Sequence, residues 1–322
     1  MYKVLFAFIL SLFITFPVFG QRKKILEAVN TEGLAATHVN VPYGTHERNV
    51  LDIWLVEGSE PSPLVVYIHG GGFMNGDKSA IYDSEDIAKF LKKGIAFASI
   101  NYRFMLQQAE RLPGCMKDSR RALQFLRSKA EEWMIDKDKI AVYGASAGAG
   151  TALWLGLHDE MADPNSEDQI LRESSRVSAI GALATQSTYD FTKWQEILDM
   201  QDISQDQAKG LLQKGAFALG FKNAEELESE EASELRADVD FFSLLSKDDP
   251  PVFVYNNMRG GKIDPKDQGH INHHPKHALA LKEAFDNIDH PSQVYAPELG
   301  VEPAGDEQLT LVEFLSKYLA ED

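Results

Sequence analysis

From residue 50 onward the chain alternates short apolar runs with segments of helical length, and this alternation constrains its fold more than any other feature. The runs are VLDIWLV, PLVVYIH, GIAFASINY, KIAVYG, VSAIGALAT, PPVFVYN and PSQVYAP. Helix-length stretches at 83–92, 118–132 and 147–158 lie between several of them. The runs are continuous rather than alternating in polarity, so each strand has both faces covered. That is the pattern of a mostly parallel sheet with helices on both sides. One connection, residues 190–249, is far longer than an ordinary link and reads as helical and acidic. It is expected to form a helical cap inserted over one end of the sheet.

The stretch KIAVYGASAGAGTALWLGLH (139–158) carries the chemistry. A strand runs into Gly144-Ala145-Ser146-Ala147-Gly148, and a helix of small residues follows. A serine on such a tight strand-to-helix turn has its hydroxyl exposed, and the glycines on either side prevent a clash with strand or helix. The helix amides behind it point toward developing negative charge. A second glycine cluster lies in VVYIHGGGFMNGDK (65–78), after a buried strand. Its glycines let a substrate approach the backbone closely. No Lys-Ser/Thr pair follows them, which argues against a phosphate loop. His69, fixed at a strand end, reads as a brace for this loop.

In these two motifs the chain resembles the α/β-hydrolases, in the carboxylesterase group that includes hormone-sensitive-lipase-like enzymes. It is most similar to the bacterial feruloyl and acetyl-xylan esterase-like branch. VPYGTHERNVLDIWLV, HGGGFMNGDK, SINYRF and the segment leading into GASAG carry the likeness over residues 41–158. The second half follows in outline, through PPVFVYN, ALALKEAF and SQVYA. The resemblance implies an α/β-hydrolase fold with Ser146 as nucleophile. It also implies an oxyanion hole formed by the amides of Gly71, Gly72 and Ala147. The activity implied is hydrolysis of small acyl esters, such as acetyl or feruloyl esters of carbohydrates, without a cofactor.

The chain departs from that family in one respect. The family's histidine follows the strand matching SQVYA, but PELGVEPAGDEQ stands there and no histidine follows His290. Four of the nine histidines instead fall in HINHHPKH (270–277). A long glycine-bearing connection after PPVFVYN leads to them, at the same sheet edge as Ser146, where open α/β sheets bind ligands. Pro275 is expected to open the following helix, leaving His274 at the cap with His273 just before it. His274 is the preferred base, and His273 is the alternative. Asp264 best matches the family's acid position, with Asp267 and Asp190 as alternatives. The same cluster also admits a zinc site or an ordinary capping loop. Two rivals follow, a hydrolase-fold binding protein without turnover and a metal-dependent hydrolase.

Composition bounds the rest. A net charge of −17, with its acids densest at 223–240, excludes a nucleic-acid surface. The N-terminal MYKVLFAFILSLFITFPVFG is expected to be a signal peptide over 1–20, followed by one hydrolase domain over 21–322. Its apolar run, 4–16, is shorter than the roughly 20 residues a membrane helix needs. The mature chain is therefore expected to be exported, without stable membrane insertion. Cys115 is the only cysteine, so no internal disulfide is available and the core alone must hold the fold.

Overall fold

The computed structural model describes residues 32–303 and 308–321, so the expected signal peptide lies outside the described residues. One sheet of eight strands organises the described residues. The strands are β1 (His38–Pro42), β2 (Val50–Trp54), β3 (Ser62–Ile68), β4 (Ala96–Ile100), β5 (Ile135–Ala145), β6 (Ala179–Leu183), β7 (Val252–Tyr255) and β8 (Ser292–Tyr295). Their spatial order is β1-β2-β4-β3-β5-β6-β7-β8. β2 pairs antiparallel with both β1 and β4, and every pairing from β4 through β8 is parallel. This is the mixed but mostly parallel sheet of the α/β-hydrolase fold.

The continuous apolar runs become the central strands because both of their faces are covered. In β3, Leu64, Val66 and Ile68 face one core, while Val65 and Tyr67 face the other. α1 (Asp86–Lys92) and α11 (Leu311–Ala320) cover the second face. α11 begins with Thr310 and Glu313 in a reciprocal capping box and buries Val312, Phe314, Leu315 and Leu319. On the first face lie α2 (Arg111–Ser128), α3 (Ala130–Trp133) and α4 (Ala147–Leu157). Every residue of α4 is buried, so this helix is apolar all round and lies in the middle of the domain. Cys115 is buried in α2, where desolvation pushes its thiol up to about 12. A thiol in that state is a packing group.

Between β6 and β7 the chain leaves the sheet and forms α5 (Trp194–Ile197), α6 (Gln205–Ala218), α7 (Glu230–Asp238) and α8 (Phe241–Leu244). Trp154 of α4 donates its indole N–H to the Asp238 carbonyl at 3.0 Å, which fastens this segment to the core. After β7 come α9 (Gln268–His273) and α10 (Lys276–Asn287). The long connection after PPVFVYN is not irregular throughout: its last part, Gln268–His273, is helical. α9 ends at His273 because the residue before proline is driven out of the helical region, and His274 is extended at φ −60° and ψ 135°.

Candidate active site

β3, β5, β6 and β7 all end at the same edge, and the loops leaving that edge build the site. Ser146 stands between β5 and α4 with φ +53° and ψ −118°, a region that non-glycine residues rarely occupy. Holding it there costs on the order of 1–3 kcal/mol, which the surroundings must supply. They do so through hydrogen bonds on both sides of the residue. The Ser146 amide donates to the Leu183 carbonyl at 2.8 Å, and its carbonyl accepts from the Gly150 amide at 3.0 Å. The flanking glycines are required by contact with the end of β3. A Cβ on Gly148 or on Gly144 would collide with the Ile68 carbonyl oxygen.

His273, rather than the preferred His274, meets the serine. Its Nε2 lies 2.8 Å from Ser146 Oγ, and its Nδ1 lies 3.0 Å from the Gly269 carbonyl oxygen. A carbonyl can only accept, so Nδ1 carries the proton and Nε2 presents its lone pair to the hydroxyl. The pair is thus set to move a proton from oxygen to nitrogen.

His274 is turned the other way. Its Nε2 donates to the Gly261 carbonyl at 3.0 Å, and its Nδ1 accepts from the Lys276 amide at 3.1 Å, capping α10. The ring is buried, and desolvation lowers its pKa. With both nitrogens committed to backbone groups, it cannot serve Ser146. The preference for His274 fails because the helix does not first open at Pro275: residues 268–273 are already helical. Once α9 forms, a single residue's difference reverses which ring faces the serine.

The other two histidines of the cluster are structural. His270 Nε2 lies 3.1 Å from the Arg259 carbonyl. His277 is fully buried, with Nε2 3.1 Å from the Ile271 carbonyl and Nδ1 3.0 Å from Ser187 Oγ. Burial pushes its pKa down to about 3, which keeps it neutral. Among the described residues no group of three His, Cys, Asp or Glu side chains is arranged to hold a metal ion.

None of the three expected acids reaches His273, whose hydrogen bonds among the described residues go to Ser146 and Gly269. Asp264 closes a turn by accepting from the Lys266 amide. Asp267 caps α9, accepting from the His270 amide at 3.0 Å while pairing with Arg259. Asp190 caps the turn at Phe191–Lys193 and pairs with Arg236. Each carboxylate is consumed by local backbone groups, as short acidic side chains in turns commonly are. The orienting group for the histidine is instead the Gly269 carbonyl, which sequence reasoning did not identify. Asp267 ahead of the helical GHINH was the available sign that a helix starts there.

The glycine loop faces the serine across a cavity. Gly71 and Gly72 have φ of +111° and +60°, conformations that favour glycine. Gly72 and Ala147 line the cavity together with Ser146, whereas Gly71 is not among its lining residues and turns its carbonyl to the Met74 and Asn75 amides. His69 braces the loop. Its Nδ1 lies 2.7 Å from the Gly70 carbonyl, Arg48 lies 3.3 Å from its Nε2, and Tyr102 stacks on the ring. Burial holds it near a pKa of about 4, so it is neutral. The cavity encloses about 550 Å³. Its walls are mostly apolar, with Phe73, Met105 and Leu112 joined by Phe191, Trp194 and Phe217 from the segment between β6 and β7.

The mostly parallel sheet, the strained serine between strand and helix, and the glycine loop after β3 define an α/β-hydrolase fold. Residues 51–268 match the BD-FAE family, and the chain belongs to it. The esterase LipC of Mycobacterium tuberculosis is 27% identical over 153 residues, which are 47% of this chain and 36% of LipC. The chain thus spans about a third of the length of that relative. Among solved structures, a truncated carbohydrate esterase from gut microbiota superposes with a TM-score of 0.60 at 19% identity, covering 79% of this chain and 85% of the other. An acetyl ester-xyloside bifunctional hydrolase from Caldicellulosiruptor lactoaceticus gives 0.54 at 17% identity, covering 78% and 82%. At these identities the likeness of structures speaks for the fold.

Proposed function

We propose that the protein is a serine carboxylic ester hydrolase acting on small acyl esters through a Ser146–His273 pair. The 2.8 Å contact between Ser146 Oγ and His273 Nε2 is the observation that carries this reading. Ser146 Oγ attacks the ester carbonyl carbon while its proton passes to Nε2. The carbonyl oxygen takes up the negative charge and is held by the amides of Gly71, Gly72 and Ala147. As the tetrahedral intermediate collapses, the imidazolium returns the proton to the departing alkoxide, leaving an acyl-enzyme and a free alcohol. Water then repeats the sequence with His273 as base, releasing the acid and restoring the serine.

The Gly269 carbonyl does one part of the work of a carboxylate in a triad. By accepting from Nδ1–H it fixes the tautomer, and a wrong tautomer alone lowers turnover about 10⁴-fold in a serine protease. It is neutral, so it stabilises the imidazolium less than a carboxylate does. The rival reading, a binding protein without turnover, requires a serine with no base, and the imidazole beside Ser146 disfavours it.

The apolar cavity supports an aromatic acyl group such as feruloyl over acetyl, which would leave most of the space unfilled. The names of the two structural neighbours, a carbohydrate esterase and an acetyl ester-xyloside bifunctional hydrolase, agree with a carbohydrate ester as substrate. Export is proposed on the N-terminal apolar run. Among the described residues no helix is long and apolar enough to cross a membrane. The test is a comparison of initial rates on methyl ferulate and on short aryl esters, with Ser146→Ala alongside. The reading predicts hydrolysis by the wild type, higher kcat/KM for the bulkier acyl group, and none from the alanine variant. An alanine variant as active as the wild type would overturn it.

A further inference from the structure

The partner of His273 Nδ1 is a backbone carbonyl in the first turn of α9, so the start of that helix sets where the carbonyl lies. α9 has six residues, too few to hold a helical conformation unaided. Both of its ends are tied. At the C-terminal end, buried Asn256 donates to the His273 carbonyl at 3.2 Å, and Gln186 donates to the Asn272 carbonyl at 2.7 Å. At the N-terminal end Asp267 accepts twice. Its side chain takes the His270 amide at 3.0 Å, and its carbonyl takes the Ile271 amide at 3.0 Å. Those two amides are in the same turn as the Gly269 carbonyl.

We infer that Asp267 is a positioning residue for the reaction. Through the cap of α9 it holds the Gly269 carbonyl that fixes the tautomer and aim of His273. This rests on the Ser146–His273 reading above. It assigns Asp267 a role different from that of a triad acid, because a cap needs an oxygen that accepts from an amide and does not need a charge. The two roles therefore separate on replacement by asparagine.

The experiment compares Asp267→Ala, Asp267→Asn and Arg259→Gln with the wild type by kcat, KM and ¹⁵N spectra of histidine-labelled protein. Loss of the cap in Asp267→Ala should lower kcat roughly five- to tenfold, with KM nearly unchanged. Its His273 resonances should shift from a fixed Nδ1–H tautomer toward a mixture. Asp267→Asn keeps the acceptor and should restore both kcat and tautomer. Arg259→Gln should leave both as in the wild type. Wild-type kcat and tautomer in Asp267→Ala would overturn the inference, as would an Asp267→Asn variant as impaired as Asp267→Ala. The spectra require no turnover, so a chain that cleaves no ester would count against the proposed function while the tautomer comparison still decides the role of Asp267.

Discussion

Ser146 Oγ and His273 Nε2 lie 2.8 Å apart, although the two residues are separated by 127 positions in the chain. The neighbouring His274 is directed at the Gly261 carbonyl. Replacement of the two should therefore have opposite signatures. His273→Ala removes the proton acceptor and should lower kcat by roughly 10³-fold or more with little change in the thermal melt. His274→Ala removes a cap and a buried hydrogen bond, which should cost about 1–2 kcal/mol of stability and less than tenfold in kcat. Initial rates on one soluble ester, with melts for both variants, decide it. The reverse ranking would assign the base to His274.

The two fully buried neutral histidines should make the fold acid-sensitive. Desolvation holds His277 at about 3 and His69 at about 4, against about 6.5 in an unfolded chain. Because the folded-state values are depressed, the unfolded state takes up protons first as pH falls. The contribution is fully present above about pH 6.5 and is lost progressively toward the folded-state values. By pH 5 each site should have lost about 2 kcal/mol. Denaturant unfolding at pH 7.5 and 5.0 measures this, and His277→Gln should show a smaller loss than the wild type. An unchanged difference between the two pH values would refute burial as the cause.

The elbow glycines make a steric prediction. A methyl group on Gly148 meets the Ile68 carbonyl and has nowhere to go, so Gly148→Ala should destabilise by about 3 kcal/mol or more. Gly72 has open space around its Cβ position, and only its φ of +60° resists, at about 1–2 kcal/mol for an L-residue. Equal melting temperatures for the two variants would contradict this account.

Much of the fold was legible because its signals are local. Seven of the eight strands were visible as apolar runs. The one missed, β1, is mostly exposed, and HVNVP carries no continuous apolar pattern. The elbow was legible for the same reason, since strand, glycines and small-residue helix are contiguous around Ser146. The base was not. Choosing between His273 and His274 depends on whether 268–273 is helical, and a six-residue helix has too little periodicity to announce itself. The orienting group was hidden more deeply. It is a backbone carbonyl, which every residue possesses, so no residue type at Gly269 could mark it.

The central claim is that Ser146 is activated by His273, and covalent labelling tests it most directly. Wild-type protein, Ser146→Ala and His273→Ala would each be incubated with a fluorophosphonate, followed by intact mass and peptide mapping. Labelling does not depend on the choice of ester, so an unsuitable substrate cannot obscure the result. The account predicts one adduct on Ser146 in the wild type, none in Ser146→Ala, and labelling slowed by orders of magnitude in His273→Ala. A wild type that resists the probe, or a His273→Ala variant labelled as fast as the wild type, would contradict it.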